Sequence, residues 1–283
     1  MTVINTNINS LISQNALTRN NRALSSSMEQ LSTGKRINSA ADDAAGLAIS
    51  NKMTAQIRGL NQAVRNANDG ISLLQTAEGA TTEITNMLQR MRELAVQAAN
   101  DTYQASDRSA LNAEVKELQN EITRIGSNTE WNGMKLFTKQ TAGSAGGIGT
   151  SGNVRLQVGV DGESTDRISV QLNKIDTTTL GVSAISLKTA ASASNALKSL
   201  DKAIGMIDND RATFGATINR LTYAVDNLTN VAQNASASRS RILDTDYAKA
   251  SAELARTQII QQAATAILAQ ANQSQQSVLK LLG

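Results

Sequence analysis

Residues 193–232 read ASNALKSLDKAIGMIDNDRATFGATINRLTYAVDNLTNVA. Within this stretch Ala193, Leu197, Leu200, Ile204, Ile207, Arg211, Phe214, Ile218, Leu221, Val225, Leu228 and Ala232 fall alternately four and three residues apart. That spacing keeps one stripe of a helix turned toward a partner over many turns. Only Arg211 interrupts the apolar pattern. A lone charge in such a seam either fixes the register at some cost in stability or reaches past the seam to a carboxylate. The expected fold class is therefore mainly α, a long discontinuous coiled-coil-like bundle.

The same code recurs upstream. Met53, Ile57, Leu60, Val64, Ala67, Ile71 and Leu74 form one heptad seam, and Ala77, Ala80, Ile84, Met87, Met91, Leu94 and Ala98 form another in a shifted phase. The consecutive three-residue steps between Leu74 and Ala80 read as a stammer that rotates the buried face. One helix from about Ala44 to Ala99 would be on the order of 80 Å long at roughly 1.5 Å per residue. After a polar break at 100–107, Leu111, Val115, Leu118, Ile122 and Ile125 mark a shorter returning helix, with Asp101 and Asp107 placed to cap its start.

The middle changes character. Asn132-Gly133 is a turn signal, 141–152 is rich in glycine, serine and threonine, and Val154, Leu156, Val158 and Val160 alternate with polar or small residues. Ile168, Val170 and Leu172 alternate again after Asp161-Gly162. These features predict a small β-hairpin region over about 131–180, at the far tip of the bundle. The two ends resume the helical pattern. Ile4, Ile8 and Leu11 begin a stripe continued out of phase by Leu17, Leu24, Met28 and Leu31, and Ile260, Ala264, Ile267, Ala271, Ser274, Val278 and Leu281 form another. Neither end has a partner nearby in sequence, so they are expected to pair with each other. The expected domains are a terminal helical pair (1–43 with 240–283) stacked on a bundle with hairpins (44–239).

Composition narrows the function. The 283 residues include no cysteine, histidine or proline, and 40% are hydrophobic but only 2% aromatic. Disulfides, thiolate nucleophiles, zinc–sulfur sites and the commonest metal ligand are thereby excluded. No glycine-rich phosphate loop or nucleophile–base constellation accompanies the carboxylates Asp42, Asp43, Asp244 and Asp246, so no enzyme, cofactor or metal is expected. The net charge is +3 and the basic residues are scattered among acids, a pattern unlike a nucleic-acid interface. The first 13 residues have no positive n-region or unbroken apolar core, and no stretch approaches the roughly 20 apolar residues of a membrane span.

Several strings go further. EQLSTGKRINSAADDAAGLAIS (29–50) contains a helix stop at Ser32-Thr33-Gly34, a new turn at Asn38-Ser39, and Asp42-Asp43 at the start of the long helix, where capping is their simplest role. Together with TVINTNINSLISQNAL (2–17), LQRMRELAVQAAN (88–100), WNGMKLF (131–137), RSRILDTDYAKASAEL (239–254) and AILAQANQSQQSVLKLLG (266–283), it resembles the bacterial flagellins in family order. The resemblance covers roughly 1–140 and 180–283. The large outer domains of long flagellins are missing or reduced to the hairpin region.

That resemblance implies a polymerising subunit of an extracellular bacterial flagellum. It implies unfolded export through the flagellar type III apparatus, an export chaperone on the C-terminal helix, and cap and junction proteins as partners. It further implies that Leu88, Gln89, Arg90, Leu94, Gln97 and Glu114 contact neighbouring subunits and, in the free monomer, the vertebrate Toll-like flagellin receptor. By spacing alone the polar members of that set are simply a solvated face. Glu29, Leu31, Arg36, Ile37, Asn38, Ser39, Asp42, Asp43, Gly46 and Leu47 match the epitope of the plant flagellin receptor kinase. Val278, Leu279, Leu281 and Leu282 match the C-terminal residues sensed by NAIP-family receptors and are expected in the filament core. The alternatives are a hook–filament junction protein, which shares the end segments, and a secreted coiled-coil effector or adhesin that does not polymerise.

Overall fold

The computed structural model describes residues 6–138 and 152–282, the side chains of 274–282 excepted. Ile4 and nearly all of the glycine- and serine-rich stretch at 141–152 lie outside the described residues. Two compact units are present, residues 1–57 with 233–283 and residues 58–232.

In the terminal unit, helix α1 (Ile8–Thr33) pairs with helix α5 (Tyr247–Leu282). Asn7 Nδ2 donates to the Ala271 carbonyl at 3.1 Å and Asn20 Nδ2 to the Thr257 carbonyl at 2.8 Å, which makes the pair antiparallel. The covered or half-covered positions are Ser10, Ser13, Leu17, Asn20, Leu24, Ser27 and Leu31 on α1, and Ala250, Leu254, Thr257, Gln261, Ala264, Leu268 and Ala271 on α5. Both sets alternate by three and four, the signature of a two-stranded seam.

This seam departs from the apolar stripes that the sequence predicts. Leu17, Leu24, Leu31, Ala264 and Ala271 do face inward, but Ile8, Leu11, Met28, Ile260 and Ile267 are exposed. The reason is steric. Small residues such as Ser10, Ser27, Ala250 and Thr257 let the two backbones come close enough for the buried Asn20 amide to reach a main-chain carbonyl. Larger side chains at those positions would hold the helices apart.

In the second unit, α2 (Ala44–Ala99), α3 (Ala105–Asn128) and α4 (Ala190–Leu243) share one core that includes Leu74, Ile84, Leu88, Met91, Ile122, Leu200 and Phe214. Helices α2 and α4 also contribute residues to the terminal unit. The stammer expected near Leu74 is absent. Leu60, Ala63, Ala67, Gly70, Leu74, Ala77, Thr81, Ile84, Leu88, Met91, Ala95 and Ala98 are all buried in one unbroken alternation of three and four. Small residues hold more than half of these positions, so a search for large apolar side chains picks their neighbours Val64, Ile71 and Met87 instead and reads a false change of phase. The same displacement occurs in α4, where Ala196 and Ala203 are buried while Leu197 and Ile204 are half-covered. Arg211 is partly buried, and its Nε has no hydrogen-bond partner among the described residues.

Two small antiparallel sheets complete this unit. Strands β1 (Glu130–Trp131) and β2 (Met134–Lys135) flank Asn132 and Gly133, whose φ angles of 48° and 76° are those of the tight turn that Asn-Gly favours. Strands β3 (Asn153–Gln157) and β4 (Arg167–Gln171) pair with Val154 opposite Val170 and Leu156 opposite Ile168. The hairpin region ends earlier than the sequence predicts. Residues 172–189 contain no strand, yet Leu172, Ile175, Leu180, Val182 and Leu187 are buried. Nor does β3–β4 cap a far tip. It lies along α2, where Asn66 Nδ2 donates to the Gln157 carbonyl at 3.1 Å and Gly59 and Gly70 leave room for Val160 and Leu156.

Candidate functional site

The polar face singled out by the sequence is assembled by α2 and α3. Arg90 Nε meets Glu114 Oε1 at 2.9 Å and Arg90 Nη1 meets Glu93 Oε2 at 3.0 Å. The hydrogen bond to Glu114, seconded by that to Glu93, holds the Arg90 guanidinium above its ordinary pKa. Its side chain is nevertheless 51% exposed and that of Glu114 43%, so the pair contributes little to stability and leaves both groups within reach of a partner. Gln97 Nε2 donates to the Tyr103 hydroxyl at 2.9 Å, and Gln89 is exposed. Leu88 and Leu94 are different: both are buried in the unit's core, so they set the position of this face without being part of its surface.

Two neighbours of that face stand outside the residues that the sequence singles out. Arg92 pairs with Asp201 of α4 at 2.7 Å. Arg108 donates to the carbonyls of Ala98 at 2.9 Å and Asn100 at 3.1 Å, tying off the end of α2. A cation just beyond a helix end is the one signal that could have marked it. Asp107 accepts from the Gln104 amide at 3.1 Å, as a capping residue does, whereas Asp101 instead faces Arg108 at 3.6 Å.

The 29–50 segment forms a clasp within the terminal unit. Helix α1 stops at Gly34, whose φ of 69° is left-handed and whose amide returns to the Gln30 carbonyl at 2.9 Å. The Arg36 amide and guanidinium donate to the Leu243 and Ile242 carbonyls, both at 2.7 Å, and the Thr245 amide donates to the Gly34 carbonyl at 3.0 Å. Asp42 accepts from the amides of Asn38 at 3.1 Å and Ser39 at 2.8 Å and from the Ser39 hydroxyl at 3.1 Å. Those donors, the Ser39 amide foremost, lower its pKa. Asp43 caps α2 by accepting from the Gly46 amide at 2.9 Å. Ile37 is buried, and a Cβ on Gly46 would lie 2.7 Å from Ile37 Cδ1 and collide with the Asp43 carboxylate. Glu29 and Ser39 are exposed, Leu31, Asn38 and Leu47 half-covered.

A third surface lies on the outer faces of α1 and α5. Ile8, Leu11, Ile12, Met28, Ile259, Ile260 and Ile267 on α1 and α5 are each 40–67% exposed. Ile12 and Ile267 line a shallow groove together with Asn9, Ser13, Gln270 and Ala271. The side chains of Val278, Leu279, Leu281 and Leu282 lie outside the described residues. Among the described residues no group of acidic side chains is arranged to hold a metal ion, and no helix is long and apolar enough to cross a membrane.

The family of bacterial flagellin N-terminal helical regions matches residues 4–142, and that of bacterial flagellin C-terminal helical regions matches 197–282. A flagellin of Halalkalibacterium halodurans is 46% identical over 257 residues, covering 90% of each chain. The chain belongs to the bacterial flagellins. The flagellin of Bacillus subtilis is 42% identical and the flagellar filament 33 kDa core protein of Treponema phagedenis 41%, each over 99% of both chains. A crystal structure of Bacillus cereus flagellin, 36% identical, covers 62% of this chain and 94% of its own with a TM-score of 0.50. A hook-associated protein of Vibrio parahaemolyticus reaches a TM-score of 0.59 at 14% identity, which shows a shared fold alone. As a short-form flagellin, the chain is a subunit of the flagellar filament that lies outside the cell and serves motility, in a family whose role is structural.

Proposed function

We propose that the chain joins the filament by coupling the ordering of its two terminal helices to docking against neighbouring copies. The exposed apolar residues of α1 and α5 carry this reading. The seam between the helices is built largely from small and polar groups, so Ile8, Leu11, Ile12, Met28, Ile259, Ile260 and Ile267 of these two helices are left 40–67% exposed within the chain. Two helices joined by so thin a seam are marginal in water alone. Neighbouring copies supply the missing cover. In this reading residues 1–43 and 240–283 form the filament core and 44–239 the surrounding layer. Limited proteolysis tests it: both ends are cut rapidly in the monomer and protected in the filament. Ends that resist protease in a confirmed monomer would show the helices to be self-sufficient.

We further infer the finer partners from the resemblance to the flagellins. The chain leaves the cell unfolded through the flagellar type III apparatus, accompanied by an export chaperone, and elongates filaments beneath a cap above the junction proteins. A monomer freed from the filament presents Gln89, Arg90, Gln97 and Glu114 to the Toll-like receptor, with Leu88 and Leu94 holding the face in place. The plant receptor kinase reads the 29–50 clasp, and NAIP-type receptors read Val278, Leu279, Leu281 and Leu282. Support for the first of these is geometric: Arg90 is held in an exposed, directional pair that a lysine could not reproduce in full.

A further inference from the structure

With no cysteine and no histidine, the softest nucleophiles of this chain are its seven methionine thioethers. They are unequally placed. Met91 is fully buried and Met53, Met87 and Met134 are half-covered, whereas Met28 is 56% and Met206 44% exposed. Met28 stands on α1 four residues after Leu24 and three before Leu31, both half-covered at the seam, so the three side chains share one flank of the helix. Met206 belongs to the other unit, in a cleft with Ile175, Leu180 and Asp210.

We propose that Met28 is an oxidation site whose chemical state controls whether the free subunit can be incorporated. The inference rests on the reading that copies cover the outer residues of α1 during assembly. A two-electron oxidant of the peroxide or hypohalous-acid class transfers one oxygen to the sulfur. The thioether is oxidised to the sulfoxide, and peroxide is reduced to water, or hypochlorous acid to chloride and a proton. The product exchanges a flexible apolar group for a strongly polar S=O acceptor. In the free chain that oxygen remains hydrated, since Met28 faces solvent, and the fold is undisturbed. On docking it must shed water without a donor to receive it, a cost that raises the critical concentration about tenfold. The device acts in one direction: a free subunit is open to the oxidant, an incorporated one is closed to it.

The test treats full-length monomer and filaments with dilute hydrogen peroxide, maps the oxygen addition by peptide mass spectrometry, and measures elongation of filament seeds. In the monomer Met28 and Met206 gain oxygen ahead of Met91, and in the filament Met28 is slowed at least tenfold. Oxidised monomer elongates seeds poorly, methionine sulfoxide reductase restores it, Met28→Leu elongates normally before and after peroxide, and Met206→Leu behaves as the native chain. The proposal is overturned if Met28 reacts equally fast in monomer and filament, or if peroxide inactivates Met28→Leu as fully as the native chain. Either result leaves the assembly reading standing as long as untreated chain elongates seeds and its ends become protease-resistant there.

Discussion

Replacing both Ile12 and Ile267 by alanine separates cohesion within a subunit from cohesion between subunits. The two side chains are 61% and 58% exposed and flank one groove, so their truncation removes little that the isolated chain uses. Alanine is also the better helix former, which keeps the change in the isolated pair within about 0.5 kcal/mol. In a filament the picture reverses. Fully burying an isoleucine contributes roughly 1.5–3 kcal/mol, and somewhat more than half of each side chain is still available for burial, so the part gained on docking is about 1 kcal/mol or slightly more apiece. Losing both therefore weakens docking by about 2 kcal/mol, or roughly thirtyfold in critical concentration. Sedimentation of seeded filaments at a series of subunit concentrations measures this, and circular-dichroism melting of the monomer is the control. An unchanged critical concentration would show that this groove stays open in the filament. A large drop in monomer melting temperature would show that the two isoleucines hold the isolated pair together, contrary to their exposure.

Gly46→Ala should destabilise the clasp by about 1–3 kcal/mol, since the added methyl collides with Asp43 and crowds Ile37; chemical denaturation of the monomer reads this directly. Arg90→Ala should lower the response of a Toll-like receptor reporter at least tenfold with an unchanged melting temperature, and Arg90→Lys should recover only part of it; a full response from the alanine variant would remove this face from recognition. Asp42 is lowered in pKa in the folded chain, so its contribution is complete above the ordinary carboxylate value and fades as pH falls through the lowered one. Hydrogen exchange at the Asn38 and Ser39 amides should accelerate only in that acid range, and Asp42→Asn should abolish the pH step. Asp210 behaves oppositely. Burial raises its pKa against the opposing hydrogen bond from Asn173, so its folded form is favoured at low pH and loses that advantage as pH rises through the raised value. Asp210→Asn should accordingly raise the melting temperature at neutral pH and have a vanishing effect in acid.

Much of the helical architecture was legible because alternation by three and four survives almost any local accident. The helix at 44–99, the returning helix at 105–128 and the Asn132-Gly133 turn stand where the patterns predict them. What stayed illegible has a common cause. Ala63, Gly70, Thr81 and Ala95 on α2, and Ser10, Ser27 and Thr257 in the terminal pair, are buried because they are small, whereas sequence patterns rank positions by apolarity. The expected stammer and the expected pairing of the terminal helices through their large apolar stripes were both consequences of that ranking. Among the site residues, the exposure of Arg90 follows from its position off the seam, but its pairing with Glu114 depends on how α3 returns beside α2, which no local signal encodes. Arg108 differs, since a cation just beyond the end of α2 is itself a local signal.

The hydroxyl- and amide-lined seam between α1 and α5 also bears on how such a polymer comes apart. On the proposed assembly, a unit whose own two helices adhere weakly, and whose exposed apolar side chains dock on other copies, is held in place by the number of copies around it. A subunit inside a continuous lattice has all of them; one at an open end lacks a share, and its helices lose cover together. Shortening should therefore proceed by fraying and release from exposed ends, while the shaft stays intact until it is cut.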